Sequence, residues 1–322
     1  LSLDENIITL KTKNYNLHFL FFPLILCLLN NCEEKKALNA KLKIVCTTSI
    51  IADAFRNIAK DSAEVIALMG AGVDPHLYKA THGDIKKLLS ADIVFYNGLH
   101  LEGKMGEILK KLSRQKPVIA LGDVLAKRRL IIVEQETQTP DPHIWFDISL
   151  WKEAVKHGAD KLIEFNSEKF ERKSVEYFQK NAEQYIFSLE KLNKKVHLEL
   201  SKISEVQRTL ITSHDAFSYF GRAYRFNVRG LQGISTLSDF GLRDVSDLVN
   251  FIVKNKIKAI FVETSMSEQS INAVIKGCEG QGYRVLLGGK LFSDALGKAG
   301  TPAGTYTGMI EANVNTITKA LE

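Results

Sequence analysis

Residues 168–203 contain neither glycine nor proline. Through them Val175, Phe178, Ala182, Tyr185, Leu189, Leu192 and Val196 recur at spacings of three and four. That is one apolar stripe on one long helix, which at about 1.5 Å per residue would span roughly 50 Å. Such a helix must lay its stripe on something: a second chain, as in a coiled coil, or the chain's own flanking segments. The flanks supply a partner, so a monomer is expected.

Both flanks alternate strand and helix. On the N-terminal side, 44–48, 65–69, 93–96 and 118–121 read as strands. Helices are expected over 51–60, 83–89, 104–112 and 148–165, and a Gly-rich loop over 70–75. The polar stretch 127–140 reads as loop. On the C-terminal side, 209–212, 228–231, 259–262 and 284–287 are extended, the last followed by a Gly288-Gly289 turn. Helical patterns cover 216–224, 242–254, 268–278 and 306–321. Strands alternating with helices of this length imply βαβ units. The expected fold is therefore α/β: two βα lobes with mostly parallel sheets, 42–166 and 204–322, joined by one long rigid helix over 167–203.

A length of 322 residues suits two domains. The net charge of +6 is spread without long Lys/Arg blocks, which fits solubility and weak attraction to an anionic membrane surface. No Arg-rich helix or interleaved aromatic and basic strand suggests a nucleic-acid partner. The N-terminus has the pattern of an export signal over 1–31. Lys11 and Lys13 precede the run 17–29, which is apolar apart from His18 and too short to span a bilayer comfortably. Cys32 follows at once and begins a polar tether over 32–41, as at a lipoprotein processing site, although Asn31 stands where a small residue is usual. An uncleaved anchor, or a signal cut elsewhere, is the alternative. One acyl chain anchors only marginally, so a stable membrane attachment needs several. Cys46 and Cys278, in different halves, read as buried free thiols.

Chemistry is concentrated in a repeated triplet, Asp74-Pro75-His76 and Asp141-Pro142-His143. The first lies in the Gly-rich loop after a strand, the second just before a helix. Proline stiffens the backbone on both sides of its own peptide, and each neighbouring Asp can orient an imidazole. His214 directly follows a strand in the second half, and Asp294 lies shortly after another. In open α/β sheets ligands gather beyond the carboxyl ends of strands. Three imidazoles and one carboxylate, two from each lobe, would complete a tetrahedral Zn²⁺ site. His157 and His197 sit in helical patterns and read as solvated. His82 opens a helix and could cap it, and His100, near a strand end, is the next candidate after the chosen four.

The segments Gly72-Val73-Asp74-Pro75-His76-Leu77-Tyr78, Tyr96-Asn97-Gly98-Leu99-His100-Leu101-Glu102, Asp141-Pro142-His143-Ile144-Trp145-Phe146-Asp147, Ser213-His214-Asp215-Ala216-Phe217 and Leu291-Phe292-Ser293-Asp294-Ala295-Leu296-Gly297 resemble the TroA-like cluster of periplasmic metal receptors. They occur in order and in both halves, from about Lys41 onward. The resemblance implies a solute-binding receptor of an ABC importer, passing Zn²⁺, Mn²⁺ or sometimes Fe²⁺ to a permease and its ATPase. It carries the metal ligands over to His76, His143, His214 and Asp294. The third ligand varies in that family between His and Glu. The His-rich acidic loop of some zinc-specific relatives has no counterpart here, since 127–140 contains no His.

Asn97, Trp145, Asp215 and Glu263 stand near the ligand motifs as supporting residues, and 235–238 either orients a ligand loop or forms a simple turn. Zinc is favoured over manganese by the imidazole-rich set. Neutral His is needed for binding, so affinity should fall with pH. The long helix should limit lobe motion on binding. The rival readings are a zinc-dependent hydrolase, for which no base motif such as HExxH is present, and a lipid-anchored surface adhesin.

Overall fold

The computed structural model describes residues 41–169, 172–237 and 240–322. The expected signal peptide, Cys32 and the tether up to residue 40 lie outside the described residues.

The first lobe opens with β1 (Leu42–Cys46), whose apolar run ends in Thr47-Thr48. The Thr48 hydroxyl accepts from the Ile51 N–H and caps α1 (Ser49–Ala59), satisfying a donor that the helix start leaves unpaired. β2 (Ala63–Ala67) follows, then α2 (His82–Ser90), β3 (Ile93–Tyr96), α3 (Gly106–Leu112) and β4 (Val118–Ala120). At α2 the cap is Thr81, in a reciprocal pair with Asp84, and His82 is only the first helical residue. The strands form one parallel sheet in the order β2-β1-β3-β4. The stretch expected to be loop instead holds a small antiparallel hairpin, β5 (Ile132–Glu134) with β6 (Thr139–Pro140). Its strands are too short and too polar to show a period.

The second lobe is built from β7 (Thr209–His214), α6 (Ser218–Tyr224), β8 (Asn227–Gln232), α7 (Leu242–Asn255), β9 (Ala259–Glu263), α8 (Gln269–Gly280), β10 (Leu286–Leu291) and α9 (Tyr306–Leu321). β7 pairs with β8 and β9 with β10, both in parallel, and β7 packs beside β9. The expected turn at Gly288-Gly289 is not one. β10 runs through both glycines with a bulge, Gly289 taking φ +128°. A Cβ on Gly288 would come within 2.5 Å of the Phe261 ring. The glycines serve strand contact rather than chain reversal.

Between the lobes run α4 (Ile148–Lys169) and α5 (Arg172–Leu200). The long helix therefore starts at Arg172, not Glu168, and Glu168 and Lys169 belong to α4. The apolar faces explain why one helix could not continue. From Leu162, buried on α4, to Phe178, buried on α5, a single helix would rotate by about 160° beyond whole turns, which would put the two stripes on opposite faces. The helices instead pack side by side and antiparallel, with Lys152 Nζ 2.8 Å from Glu190 Oε1.

α5 bridges both lobes. Near its start Asn181 Nδ2 donates to Ile58 O of α1 (2.9 Å), and near its end Lys195 pairs with Glu311 of α9 (2.8 Å). One hydrophobic core runs beneath it without a break. It joins Ile44, Phe55 and Phe95 of the first lobe to Leu189 and Val196 of α5 and to Phe217, Phe261 and Tyr306 of the second. Buried hydrogen bonds cross the same seam. The Leu296 N–H donates to Ser49 Oγ (3.0 Å) and the Tyr306 N–H to Asp53 Oδ2 (3.0 Å). No described helix is long and apolar enough to cross a membrane.

The α5 stripe should thus be what fixes the two lobes to each other. Leu189→Ala, at a fully buried position, is expected to lower unfolding free energy by about 2–5 kcal/mol. Phe187→Ala, on the exposed face at 57% exposure, should change it by no more than about 0.5 kcal/mol. Urea denaturation of the two variants measures the contrast, and equal effects would contradict this packing.

Candidate metal centre

His76, His143, His214 and Asp294 come together in the seam between the lobes, all at most 2% exposed. One donor atom from each lies within 4.8 Å of every other. His76 sits in the loop after β2, where Asp74 Oδ1 accepts its backbone N–H (2.8 Å). His143 precedes the short turn that leads into α4. Asp141 Oδ1 accepts its backbone N–H (2.9 Å) and lies 2.8 Å from its Nδ1. With Nδ1 so engaged, Nε2 faces the centre. His214 ends β7 and Asp294 follows β10, so both second-lobe groups lie at carboxyl ends of strands.

The spacings carry chemical information. His76 Nε2 lies 3.3 Å from His143 Nε2, and Asp294 places Oδ1 3.4 Å from His143 Nε2 and Oδ2 3.5 Å from His214 Nε2. A tetrahedron with metal–ligand bonds of about 2.0–2.1 Å has edges of about 3.3–3.4 Å. His214 Nε2 and Asp294 Oδ1 are buried and have no hydrogen-bond partner. Orphaned donors and acceptors this deep call for a further group, and a cation at the centre satisfies them together.

Other residues hold the donors in place. The Glu263 carboxylate accepts the His214 backbone N–H through Oε1 (2.8 Å) and sets Oε2 2.6 Å from His214 Nδ1. Asn97 Nδ2 donates to Pro142 O (3.0 Å), steadying the peptide before His143. The Trp145 ring stands edge-on to the His143 ring, and its Nε1 donates across the seam to Ser293 O (3.0 Å), next to Asp294. Asp215 lies beside the site but makes its hydrogen bond elsewhere. Its carboxylate accepts from Ser218 Oγ (2.8 Å), while the carboxylate against the His214 ring is that of Glu263. Glu263, also named from the sequence, reaches the ring because β9 packs beside β7.

Three further contributors escaped the sequence reading. Buried Glu102 accepts from Thr47 Oγ1, Asn97 N and Gly98 N, and so shapes the turn that presents Asn97. Its only signal was membership of the 96–102 motif. Tyr219 donates its hydroxyl to Asp141 O (2.9 Å) from the other lobe. Gly230 on β8 lies so close to the His214 peptide that a Cβ there would meet Asp215 N at 2.4 Å. Of the remaining described histidines, His82, His100 and His197 are exposed and His157 half-buried, and none joins the cluster.

Burial and charge divide the three imidazoles. Burial holds His76 down at about 3, so it is neutral. Burial also acts to lower His143, but Asp141 and Asp294 outweigh it and raise His143 to about 9. In the same way Glu263 and Asp294 overcome burial at His214 and lift it well above the ordinary range. Burial acts to raise Asp294, but the His214 and His143 rings outweigh it and hold it well below.

The sequence profile of the zinc-uptake complex component A periplasmic family (ZnuA) matches residues 44–320. Manganese-binding lipoprotein MntA of Bacillus subtilis is 50% identical over 287 residues, covering 89% of this chain and 92% of MntA. Zinc-binding protein TroA of Treponema pallidum is 42% identical over 290 residues, covering 90% and 92%. The solved TroA structure superimposes with a TM-score of 0.83 over 88% of this chain and 99% of TroA, at 41% identity. The metal ABC transporter substrate-binding lipoprotein SloC of Streptococcus mutans is 31% identical over 298 residues, covering 90% and 93%. The two-lobe architecture with its long helix is the one expected from the sequence.

The division of imidazole charge can be read by NMR titration of the metal-free protein between about pH 5 and 8, the window in which an ordinary histidine changes charge. His76 should remain neutral and His143 cationic across it. A midpoint for His143 inside the window would contradict the pairing with Asp141 and Asp294.

Proposed function

The chain belongs to the zinc-uptake complex component A periplasmic family of ABC-transporter receptors, and from that premise we propose that His76, His143, His214 and Asp294 capture one divalent transition-metal ion for delivery to an ABC permease and its ATPase. The observation that carries this reading is the convergence of four buried donors from two lobes within 4.8 Å of one another, with the His76 and His143 Nε2 atoms 3.3 Å apart. Asn97, Trp145 and Glu263 support the donors through the contacts described above.

A receptor suits this geometry better than a hydrolase. Catalytic zinc keeps a coordination position for water, whereas four protein donors here close the site. Imidazole nitrogen suits Zn²⁺, and the Irving–Williams order places Zn²⁺ above Mn²⁺ at such a site. Asp294 can also offer both oxygens, one toward each neighbouring histidine, and a fifth donor of that kind suits the oxygen preference of Mn²⁺. Zinc is thus the tighter ligand and manganese the alternative cargo, the two metals that the names of TroA and MntA carry.

MntA and SloC are named lipoproteins. With the apolar run before Cys32, that likeness supports export, cleavage after residue 31 and membrane attachment in the periplasm or at the cell surface through lipid on Cys32. The α5 stripe is spent on the chain's own lobes, which supports a monomer.

Elemental analysis of the purified protein should find about one Zn or Mn per chain. His76→Ala should weaken binding by more than the roughly 10–100-fold that loss of a supporting partner costs. A wild-type protein that neither contains nor takes up either metal would end this reading. The carboxylates that raise His143 and His214 favour their protonated forms without metal, so capture at neutral pH should expel protons. Affinity should therefore still be rising with pH as it passes 8, beyond an ordinary imidazole. Calorimetry in buffers of different ionisation enthalpy counts the protons, and a count near zero would contradict the assigned charge states.

A further inference from the structure

His143 and His214 each have a carboxylate braced against the ring, from Asp141 and Glu263. Among the described residues no carboxylate pairs with the His76 ring in this way. His76 is held instead by its backbone, through the N–H that donates to Asp74 Oδ1 (2.8 Å). The other oxygen of the same carboxylate, Oδ2, accepts from Thr236 Oγ1 at 2.6 Å, and Thr236 belongs to the second lobe. Thr236 is anchored in turn, since Gln232 Nε2 donates to its carbonyl (3.0 Å). Gln232 O accepts the N–H of Asp215, the residue after His214. A path of hydrogen bonds therefore runs from His76 to the strand of His214 without passing through the metal position.

His76 is also the outer wall of the site. It alone of the four has an exposed sequence neighbour, Leu77 at 49% exposure, whereas both neighbours of His143 and of Asp294 are buried. Of the four, His76 thus stands in the loop with the most exposed flank. That loop is tied to the opposite lobe by a hydrogen bond to a carboxylate, the stronger kind.

We propose that the Thr236–Asp74 hydrogen bond is a latch across the lobes that slows metal release, with Thr236 acting as a positioning residue for His76. The inference rests on the receptor reading above. It assigns to 235–237 a part beyond a simple turn. The latch forms when the lobes' loops are already together, so it opposes departure of the ion and leaves capture unaffected.

The test loads the purified protein with Zn²⁺ and follows transfer to an excess of a chromogenic chelator by stopped flow, with association measured separately. Thr236→Val keeps the size and removes the hydroxyl. It should release Zn²⁺ roughly tenfold faster, the factor expected for one hydrogen bond to a charged group, at unchanged association rate and stoichiometry. Thr236→Ser should restore wild-type release, which a packing role for the threonine methyl would not predict. Should Thr236→Val melt well below wild type without metal, Thr236→Ala against Thr236→Ser gives the same comparison. Release at the wild-type rate in the hydroxyl-free variants overturns the latch while leaving the receptor intact. Slower association with unchanged release overturns it as well. Wild-type protein that binds no Zn²⁺ or Mn²⁺ is a separate result and removes the receptor reading itself.

Discussion

Asp294 reaches from the second lobe to a histidine of each lobe, and a carboxylate buried there without partners would cost several kcal/mol. Its two oxygens face His143 and His214 at 3.4 and 3.5 Å, so the charge is compensated by rings that themselves need compensation. Asp141 and Glu263 complete the balance from behind. The arrangement holds only if the segments that carry these side chains keep their positions to within about 0.5 Å. The prolines beside His76 and His143, the strand ends at His214 and Glu263, and the Trp145 bond across the seam all serve that requirement.

The positions are kept by a core that ignores the boundary between the lobes. Phe55 and Phe95 belong to the same apolar cluster as Phe261 and Tyr306, and α5 lies along both. A receptor whose halves were joined only by a linker could swing wide open. Here such a swing would expose a continuous core and break the Ser49, Asp53 and Tyr306 bonds, at a cost set by apolar area and by orphaned buried groups. Movement that admits or frees an ion is cheaper in the loops above the seam. Of these the His76 loop, with Leu77 already half in solvent, has the least to lose.

The sequence carried more of the site than of its scaffolding. The four candidate donors were legible because chemistry limits their types and because each stands at or beyond the end of a strand. The alternation of strands and helices was legible for the same reason that it folds: buried parallel strands are continuous apolar runs. The supporting residues were harder. Glu263 lies at the end of β9, and only the packing of β9 beside β7 brings it to His214. Asp215, adjacent in sequence, points elsewhere. Thr236 shows no pattern of its own, because its partner Asp74 is in the other lobe. The boundary between α4 and α5 was missed because attention to glycine and proline hides a change of stripe phase. The glycines of β10 misled in the opposite direction, since a turn and a strand in close contact both need them.

Capture and release make opposite demands on such a centre. Thermodynamic preference within the donor set follows the Irving–Williams order whatever the physiological cargo, so tightening the four donors would chiefly deepen the hold on zinc. For a receptor that must surrender its ion to a permease, the useful variable is how long the ion stays. That variable lies outside the coordination shell, where one hydrogen bond can alter it without changing which atoms touch the metal. In this chain Asp74 is the residue so placed, one carboxylate oxygen holding the His76 backbone and the other reaching Thr236 on the facing lobe.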